Sequence, residues 1–480
     1  MAAIDALLMK DGITVSRWLL LLAELGAAAV LAVVSTSHFG TADGLRITAA
    51  YLVAYLLPLF LLKRSRGSSN AAHAVLLLIA IFICTVAYDS LVTWTSIDGY
   101  SLQRPNVIGD ARSYYKWAIL DYEGSAEYNP GMFPGFPLMM VALWKLLGMS
   151  VIWPQAMNMM FTLASVVFTG MLTRRLLGPR TSLAPRTLQL GAMLLMCLLP
   201  YYLVSGVTIL KEAGTFLAFA MGGYALSSMA ASDEERHNLW RDLLILVLAC
   251  ALLAFIRPTF LYFMAVGVVV MALPQWRRDW LMSLFMLLVI ALFMALGDYL
   301  ASYSLNRQIE IVDGGWNMQR TFNNHYNQSI VGFYFLYSPL HRLALLPMTM
   351  GVQFVLPFPV PWMPPYNDEP FLLCYFSRMT YGWYLFGGTA LFYCLFMSWR
   401  RHENIGVWAW WPVIVYVGLA YVMAGTMARY MLPFQPLMVP MVLFVLYRLC
   451  QGHWRRAYAV WIITLLVVLM AALIYYHHFR

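Results

Sequence analysis

Apolar residues recur along the whole chain in runs of about 20, the length that an α-helix needs to cross the hydrocarbon core of a bilayer. In lipid the backbone must satisfy its own hydrogen bonds, so the runs are predicted to be helices rather than strands of an open sheet. Two of the runs require a tight turn between them at Arg257-Pro258. The pattern predicts about thirteen membrane spans, near residues 17–36, 47–62, 72–92, 151–173, 187–206, 211–230, 242–256, 258–274, 279–299, 379–398, 406–424, 430–449 and 458–476.

The composition agrees with this pattern. Of the 480 residues, 62% are hydrophobic and only 11% are charged, and the mean hydropathy is +0.69. A soluble domain carries about 25% charged residues, so this chain has too little polar surface to coat a water-soluble particle. We therefore predict an all-α polytopic membrane protein with two long outer-face loops that carry interfacial helices. The N-terminus shows no cleavable signal peptide, so the first span is expected to stay in the protein.

The net charge of +9 comes from small basic groups at span ends rather than from one basic stripe. This distribution indicates topology and argues against a nucleic-acid partner. The groups that share one side, which they mark as cytoplasmic, are Lys63, Arg64, Arg66, Arg174, Arg175, Arg180, Arg186, Arg236, Arg241, Arg277, Arg278, Arg400, Arg401, Arg455 and Arg456. An active site on the other face suits the periplasmic side of a bacterial inner membrane, although an endoplasmic reticulum protein would have the same topology.

The spans divide the chain into five segments. Three N-terminal spans, a first outer loop, a transmembrane core, a second outer loop and the C-terminal spans are predicted at residues 1–92, 93–150, 151–299, 300–378 and 379–480, respectively. Each outer loop contains hydrophobic stretches that are too short or too interrupted by proline to span, which is typical of interfacial helices. Loops of this length are uncommon unless they are functional.

The first outer loop contains the strongest candidate for chemistry. Asp110 begins a short helical pattern and Tyr114 follows one turn later, so the two side chains share a face. An aspartate at a helix start is also a common N-cap, and composition alone leaves that alternative open.

The same loop resembles the first outer loop of the GT-C superfamily of membrane glycosyltransferases, which includes protein O-mannosyltransferases and the lipid A aminoarabinose transferase. The similarity rests on an Asp-Ala-x-x-Tyr-x-x-x-Ala pattern from Asp110, followed by a Pro-Gly-x-Pro turn at 134–137 and an interfacial helix. The resemblance implies a polyprenyl-phosphate-linked sugar donor, a lipid-linked or glycan acceptor, and Asp110 as the general base. Softer matches lie at Lys211-Glu212, Arg257-Pro258 and the stretch 425–430.

Glycosyl transfer from a lipid phosphate needs a base for the acceptor hydroxyl and cations for the leaving phosphate. Lys211, Arg257 and Arg429 lie at predicted outer span ends, where a lipid headgroup would sit. With Tyr114, they are predicted to bind substrate. A basic residue at a span end often only extends its charge to the interface, and that alternative stays open for each of them.

The second outer loop offers His341 and Arg342 as further substrate-binding candidates. Histidine near a membrane is also a common polar anchor. Asp368-Glu369 could hold a divalent cation, although adjacent carboxylates are more often a solvated turn. The cysteines form no metal-ligand spacing. No cofactor is assigned, and a divalent cation stays an open alternative.

Two other functions compete with an inverting glycosyltransferase. An O-antigen polymerase or ligase would depend on Arg320, His325, His341 and Arg342 of the second outer loop. A lipid-linked substrate transporter or flippase would need charge within the membrane, for which Glu24 is the clearest candidate. The chain has no phosphate loop, no Gly-x-Ser-x-Gly and no His-Glu-x-x-His, which argues against an ATP-driven pump, a serine hydrolase and a zinc protease.

Overall fold

The structure is a computed structural model. It describes residues 15–65, 67–107, 109–125, 135–227, 239–275, 280–281, 283–296, 372, 387–388, 390–391, 393–396, 405–423, 431–452, 455–456, 458–459 and 462–463. Within these ranges every regular element is a helix and no strand occurs, in agreement with the predicted all-α class. The second outer loop lies outside the described residues except for Leu372.

Three long apolar helices form the N-terminal part: α1 (Arg17–Phe39), α2 (Thr41–Arg64) and α3 (Asn70–Thr95). The side chain of Ser69 caps α3 by accepting a hydrogen bond from the backbone N–H of Ala72. Each helix has 23 to 26 residues, which at about 1.5 Å per residue exceeds the thickness of a hydrocarbon core. Most residues of α1 are exposed, as expected for a helix that faces lipid.

The first outer loop contains two short helices, α4 (Gly109–Tyr122) and α5 (Gly135–Leu147). A hydrogen bond of 2.8 Å runs from the backbone N–H of Val151, which follows the loop, to the carbonyl of Leu102 within it. The short helices expected in this loop are therefore present. Their position along a membrane interface stays a prediction.

The core is built around α6 (Ile152–Leu177), which is buried along almost its whole length. It packs against α7 (Pro185–Cys197) and α9 (Glu212–Ser227), and the short helix α8 (Pro200–Ser205) lies between those two in the chain. The predicted span 187–206 is thus two helices. Helix α7 ends just before Pro200, whose ring cannot continue it, and Pro200 then opens α8.

The next helices are α10 (Leu239–Ile256) and α11 (Leu261–Gln275), joined by Arg257 and a 3-10 turn at Pro258–Phe260. This junction agrees with the turn predicted at Arg257-Pro258. Further along lie α12 (Ser283–Leu296), α13 (Ile405–Met423) and α14 (Gln435–Cys450).

Five of the described helical segments are long and apolar enough to cross a membrane by length and composition: Arg17–Phe39, Thr41–Arg64, Asn70–Thr95, Ile152–Arg180 and Leu432–Cys450. These segments are compatible with a multi-pass membrane protein. The count of about thirteen spans stays a prediction, as does the location in a bacterial inner membrane.

Two polar clusters lie at opposite ends of the bundle formed by α6, α9 and α10. Arg175 pairs with Asp242 at one end, with 2.7 Å between guanidinium and carboxylate, and Arg257 pairs with Glu212 at the other, at 3.5 Å. The charge pattern predicts the first end to be cytoplasmic, and we call it the inner end. The other is called the outer end, and it is where the first outer loop packs.

Candidate functional site

Helix α4 brings the first candidate residues to the outer end. Tyr114 is buried, and its ring packs edge-on against Trp117 of the same helix and Phe136 of α5, with centroids 5.8 Å apart in each case. Asp110 lies in the first turn of α4, one turn before Tyr114, so the two positions share a helix face. The Asp110 side chain itself lies outside the described residues.

Lys211 immediately precedes α9 and meets this helix. Its ammonium nitrogen lies 5.4 Å from the centroid of the Tyr114 ring, within the range of a cation–π contact. Lys211 is 8% exposed. A basic side chain that only reaches for the interface keeps its charged head in water, and Lys211 is instead enclosed by protein.

Glu212 and Arg257 form the next part of the site. A carboxylate oxygen of Glu212 lies 3.5 Å from a guanidinium nitrogen of Arg257, and both side chains are less than 10% exposed. The guanidinium carbon of Arg257 also lies 4.0 Å from the centroid of the Phe260 ring. Arg257 is held there because α10 ends at Ile256 and Pro258 opens the following turn.

Helix α6 fixes the backbone that leads into Lys211. The side-chain amide of Asn158 donates hydrogen bonds to the carbonyls of Thr208 and Leu210, at 2.6 and 2.8 Å. The amide of Gln155, one turn nearer the helix start, donates to the carbonyl of Val207 at 3.3 Å. These contacts order an irregular stretch of chain between α8 and α9.

The start of α5 packs close to Arg257. A Cβ added at Gly135 would overlap the carbonyl oxygen of Phe255, near the end of α10. Glycine at this position therefore allows the first outer loop to contact α10 two residues before Arg257. Together with the contact between Lys211 and Tyr114, this packing attaches the loop to the bundle at two points.

Two basic groups and one acidic group are thus buried together at the outer end. Lys211, Glu212 and Arg257 are each at most 8% exposed, and charged groups act more strongly on a ligand in a buried site than in water. An anion with several acceptor oxygens, such as a phosphate group, suits the ammonium of Lys211 and the planar fork of donors that arginine provides.

Tyr115 lies beside this site but is not a suitable base. Its hydroxyl donates a hydrogen bond of 2.9 Å to the carbonyl of Gln103. Burial raises the pKa of Tyr115 far above its ordinary value, so the phenol stays protonated near neutral pH.

The structure brings together three residues that the sequence singled out: Tyr114, Lys211 and Arg257. Asp110 lies one helical turn from Tyr114. The remaining predicted site residues, and those of the polymerase and metal alternatives, lie outside the described residues: Arg320, His325, His341, Arg342, Asp368, Glu369 and Arg429.

Sequence reasoning did not include Glu212 among the site residues. The signal was present, because a carboxylate next to Lys211 at a predicted span end needs a nearby partner. That this partner is Arg257 depends on the packing of α9 against α10, which the sequence does not reveal.

A metal centre finds no support in the described part of the chain, where no group of three or more His, Cys, Asp or Glu side chains could hold an ion. The divalent cation suggested by Asp368-Glu369 falls on residues that are not described.

No protein-family model, no curated protein and no solved structure matches this chain. The resemblance to GT-C glycosyltransferases therefore stays a prediction from sequence.

A polar cluster outside the α6, α9 and α10 bundle joins the three N-terminal helices. One carboxylate oxygen of Glu24 on α1 accepts a hydrogen bond from the Tyr55 hydroxyl of α2 and contacts Nε2 of His73 on α3, both at 2.7 Å. The Tyr55 hydroxyl and His73 Nε2 are 3.0 Å apart. Glu24, the residue on which the transporter alternative depends, is thus engaged in ties between helices.

Proposed function

We propose that this protein is an inverting membrane glycosyltransferase of the GT-C type. It transfers a sugar from a polyprenyl-phosphate donor to a hydroxyl group on the outer face, and the acceptor is itself lipid-linked or a glycan. The observation that carries the proposal is the burial of two cations at the outer end. Lys211 contacts Tyr114, which lies on the helix whose first turn contains Asp110, and Arg257 pairs with Glu212, the residue after Lys211.

The reaction assigns a separate role to each group. Asp110 removes the proton from the acceptor hydroxyl as its oxygen attacks the anomeric carbon from the face opposite the phosphate. The bond between that carbon and the phosphate oxygen breaks, and its electron pair leaves with the polyprenyl phosphate. The charge that develops on the leaving oxygen is stabilised by Lys211 and Arg257.

Burial favours this assignment over a purely interfacial role for the two cations. A low-dielectric site strengthens the attraction of a basic group for phosphate. The ion pair places a guanidinium nitrogen of Arg257 3.5 Å from a carboxylate oxygen of Glu212. The planar guanidinium fork matches the oxygens of a phosphate group. Membrane lipids surround the helices, and the polyprenyl chain of the donor would lie among them.

The test is sugar transfer by the purified full-length protein in lipid nanodiscs. Radiolabelled polyprenyl-phosphate sugars are supplied with lipid acceptors, and release of polyprenyl phosphate is measured for wild type and for Asp110→Asn. Transfer by the wild type that the variant lacks supports the proposal. Equal rates would overturn the assignment of Asp110, and the absence of any turnover across the donor panel would count against the transferase.

A further inference from the structure

Two buried acceptor atoms at the outer end have no hydrogen-bond partner among the described residues: Oε2 of Glu212 and Oδ1 of Asn158. Both residues are almost completely buried, at 4% and 0% exposure. Buried polar atoms in folded proteins nearly always have a partner, so each of these positions calls for a donor that the described chain does not supply.

The other polar atoms of the same two side chains are engaged, which fixes their orientation. The Asn158 amide nitrogen donates to two backbone carbonyls, Thr208 and Leu210, so its oxygen faces another direction. The second oxygen of Glu212 lies beside Arg257, so Oε2 is the free end of that carboxylate. Rotating either side chain to satisfy its orphaned atom would break these contacts.

The two residues lie at the same level of the bundle. Asn158 binds the backbone only one to three residues before Lys211, and Glu212 follows Lys211 directly. Just below them, a Cβ added at Gly214 would overlap Ile256 and touch the Phe161 ring, so α6, α9 and α10 are in close apolar contact there. The two acceptor atoms therefore lie next to closely packed apolar side chains, at the end of the bundle that carries Lys211 and Arg257.

The chemistry of the two atoms selects their ligand. A carboxylate oxygen and an amide oxygen accept hydrogen bonds, so an ionised phosphate, which offers only acceptors, is a poor partner for them. A sugar ring presents several hydroxyl donors on a rigid frame. The basic groups at this end and the unpaired acceptors thus fit two different parts of one molecule.

We infer that Asn158 and Glu212 form a subsite for the hydroxyl groups of the donor sugar, next to the phosphate-binding pair Lys211 and Arg257. The inference rests on the proposed function for the phosphate contact. It adds the prediction that the sugar, and not only the lipid phosphate, contributes to binding through these two side chains.

The experiment compares two ligands on the full-length protein in nanodiscs: bare polyprenyl phosphate, and a panel of polyprenyl-phosphate-linked pentoses and hexoses. Affinity is measured by tryptophan fluorescence. For wild type, at least one sugar-bearing lipid should bind about tenfold tighter than bare lipid phosphate, the effect of one or two added hydrogen bonds in a buried site. Asn158→Leu and Glu212→Gln should each lose most of that difference.

A matched control is Ser165→Ala, on the same face of α6 but about two turns deeper, where the hydroxyl bonds Thr162 and Tyr202. It should keep the full preference for the sugar-bearing lipid. Melting temperatures of all variants separate a lost subsite from lost folding. Glu212→Asp, which keeps a carboxylate for Arg257 but withdraws it by one carbon, is the further subsite variant if Glu212→Gln or Asn158→Leu does not fold.

The outcomes distinguish failure of the sugar subsite from failure of the proposed glycosyltransferase function. Wild type could bind bare polyprenyl phosphate as tightly as every sugar-bearing lipid, or both variants could keep the higher affinity for a sugar-bearing lipid. Either result would overturn the subsite and leave the proposed function intact. Failure of both ligands to bind would overturn the proposed function and the subsite together.

Discussion

The ammonium group of Lys211 lies against the ring of Tyr114, joining the first outer loop to the start of α9. The contact fixes the position of Lys211, because an aromatic face attracts a cation. The ammonium group is thereby held at the outer end, where the proposed phosphate site lies.

We predict that Lys211→Gln weakens binding of polyprenyl phosphate by about tenfold or more, because a charge-assisted contact is lost in a buried site. Tyr114→Leu should weaken binding of polyprenyl phosphate less, because it removes the ring that positions Lys211 but leaves the lysine charge in place. Tyr114→Phe keeps the ring and serves as the control. An equal affinity for wild type and Lys211→Gln would show that this lysine does not contact the phosphate.

Asp110→Asn is predicted to leave the fold and the affinity for polyprenyl phosphate unchanged but to slow sugar transfer by at least about 100-fold, the usual effect of losing a general base. Steady-state rates and melting temperature are the measurements. Asp121→Asn, near the other end of the same helix, is the matched control. Asp110→Asn could instead lower the melting temperature while its folded molecules transfer sugar at the wild-type rate. That result would indicate that Asp110 only stabilises the start of the helix.

The sequence predicts the long helices well, because each depends on a local apolar run. The span predicted at 72–92 corresponds to helix α3, Asn70–Thr95. Helix α2 begins six residues earlier than its predicted span, at Thr41 rather than 47. Its first turns contain Asp43 and Arg46, which resemble a loop, but these two form an ion pair of 3.0 Å at a helical spacing and are tolerated there.

The sequence predicts the site only in part, because the site depends on contacts between helices. Lys211 and Arg257 could be placed at one end of the bundle because topology fixes the end of each helix. Their partners depend on how helices rotate and pack against one another, which periodicity in uniformly apolar helices does not determine. The contacts of Asn158 with the chain before Lys211 therefore had no signal in the sequence.

Gly135→Ala is predicted to reduce sugar transfer without abolishing insertion into the membrane. The added methyl group would overlap the Phe255 carbonyl, so α5 would have to move away from the end of α10 and from Arg257. A loss of stability of about 1–3 kcal/mol is expected, measured by thermal unfolding. Gly26→Ala on α1, where a Cβ would meet nothing within 4 Å, is the control and should behave as wild type.

The inner-end ion pair gives a prediction about stability alone. Arg175 donates to Asp242 and also to the carbonyl and hydroxyl of Tyr224, and both charged side chains are less than 10% exposed. Asp242→Asn should lower the free energy of unfolding by about 3–5 kcal/mol, because it leaves a buried guanidinium without its counter-charge.

The affinity of the folded fraction for polyprenyl phosphate should not change in Asp242→Asn, since this pair lies at the opposite end of the bundle from Lys211. The double variant Arg175→Met with Asp242→Leu should recover part of the lost stability. A large drop in ligand affinity in Asp242→Asn would contradict a purely structural role.

Glu24 distinguishes the transferase from the transporter alternative. In Glu24→Gln the amide oxygen can still accept the Tyr55 hydrogen bond, while the contact between a carboxylate and His73 Nε2 is lost. We predict a loss of about 1–2 kcal/mol in stability and a rate of sugar transfer within about twofold of wild type.

Leu22→Ala, which alters an exposed position on the same helix, is the control for changes at the lipid-facing surface. A liposome assay follows the movement of a fluorescent polyprenyl phosphate across the membrane. Movement that wild type catalyses and Glu24→Gln does not would favour a transporter. A carboxylate within the membrane would then be required for passage of the lipid rather than for joining three helices.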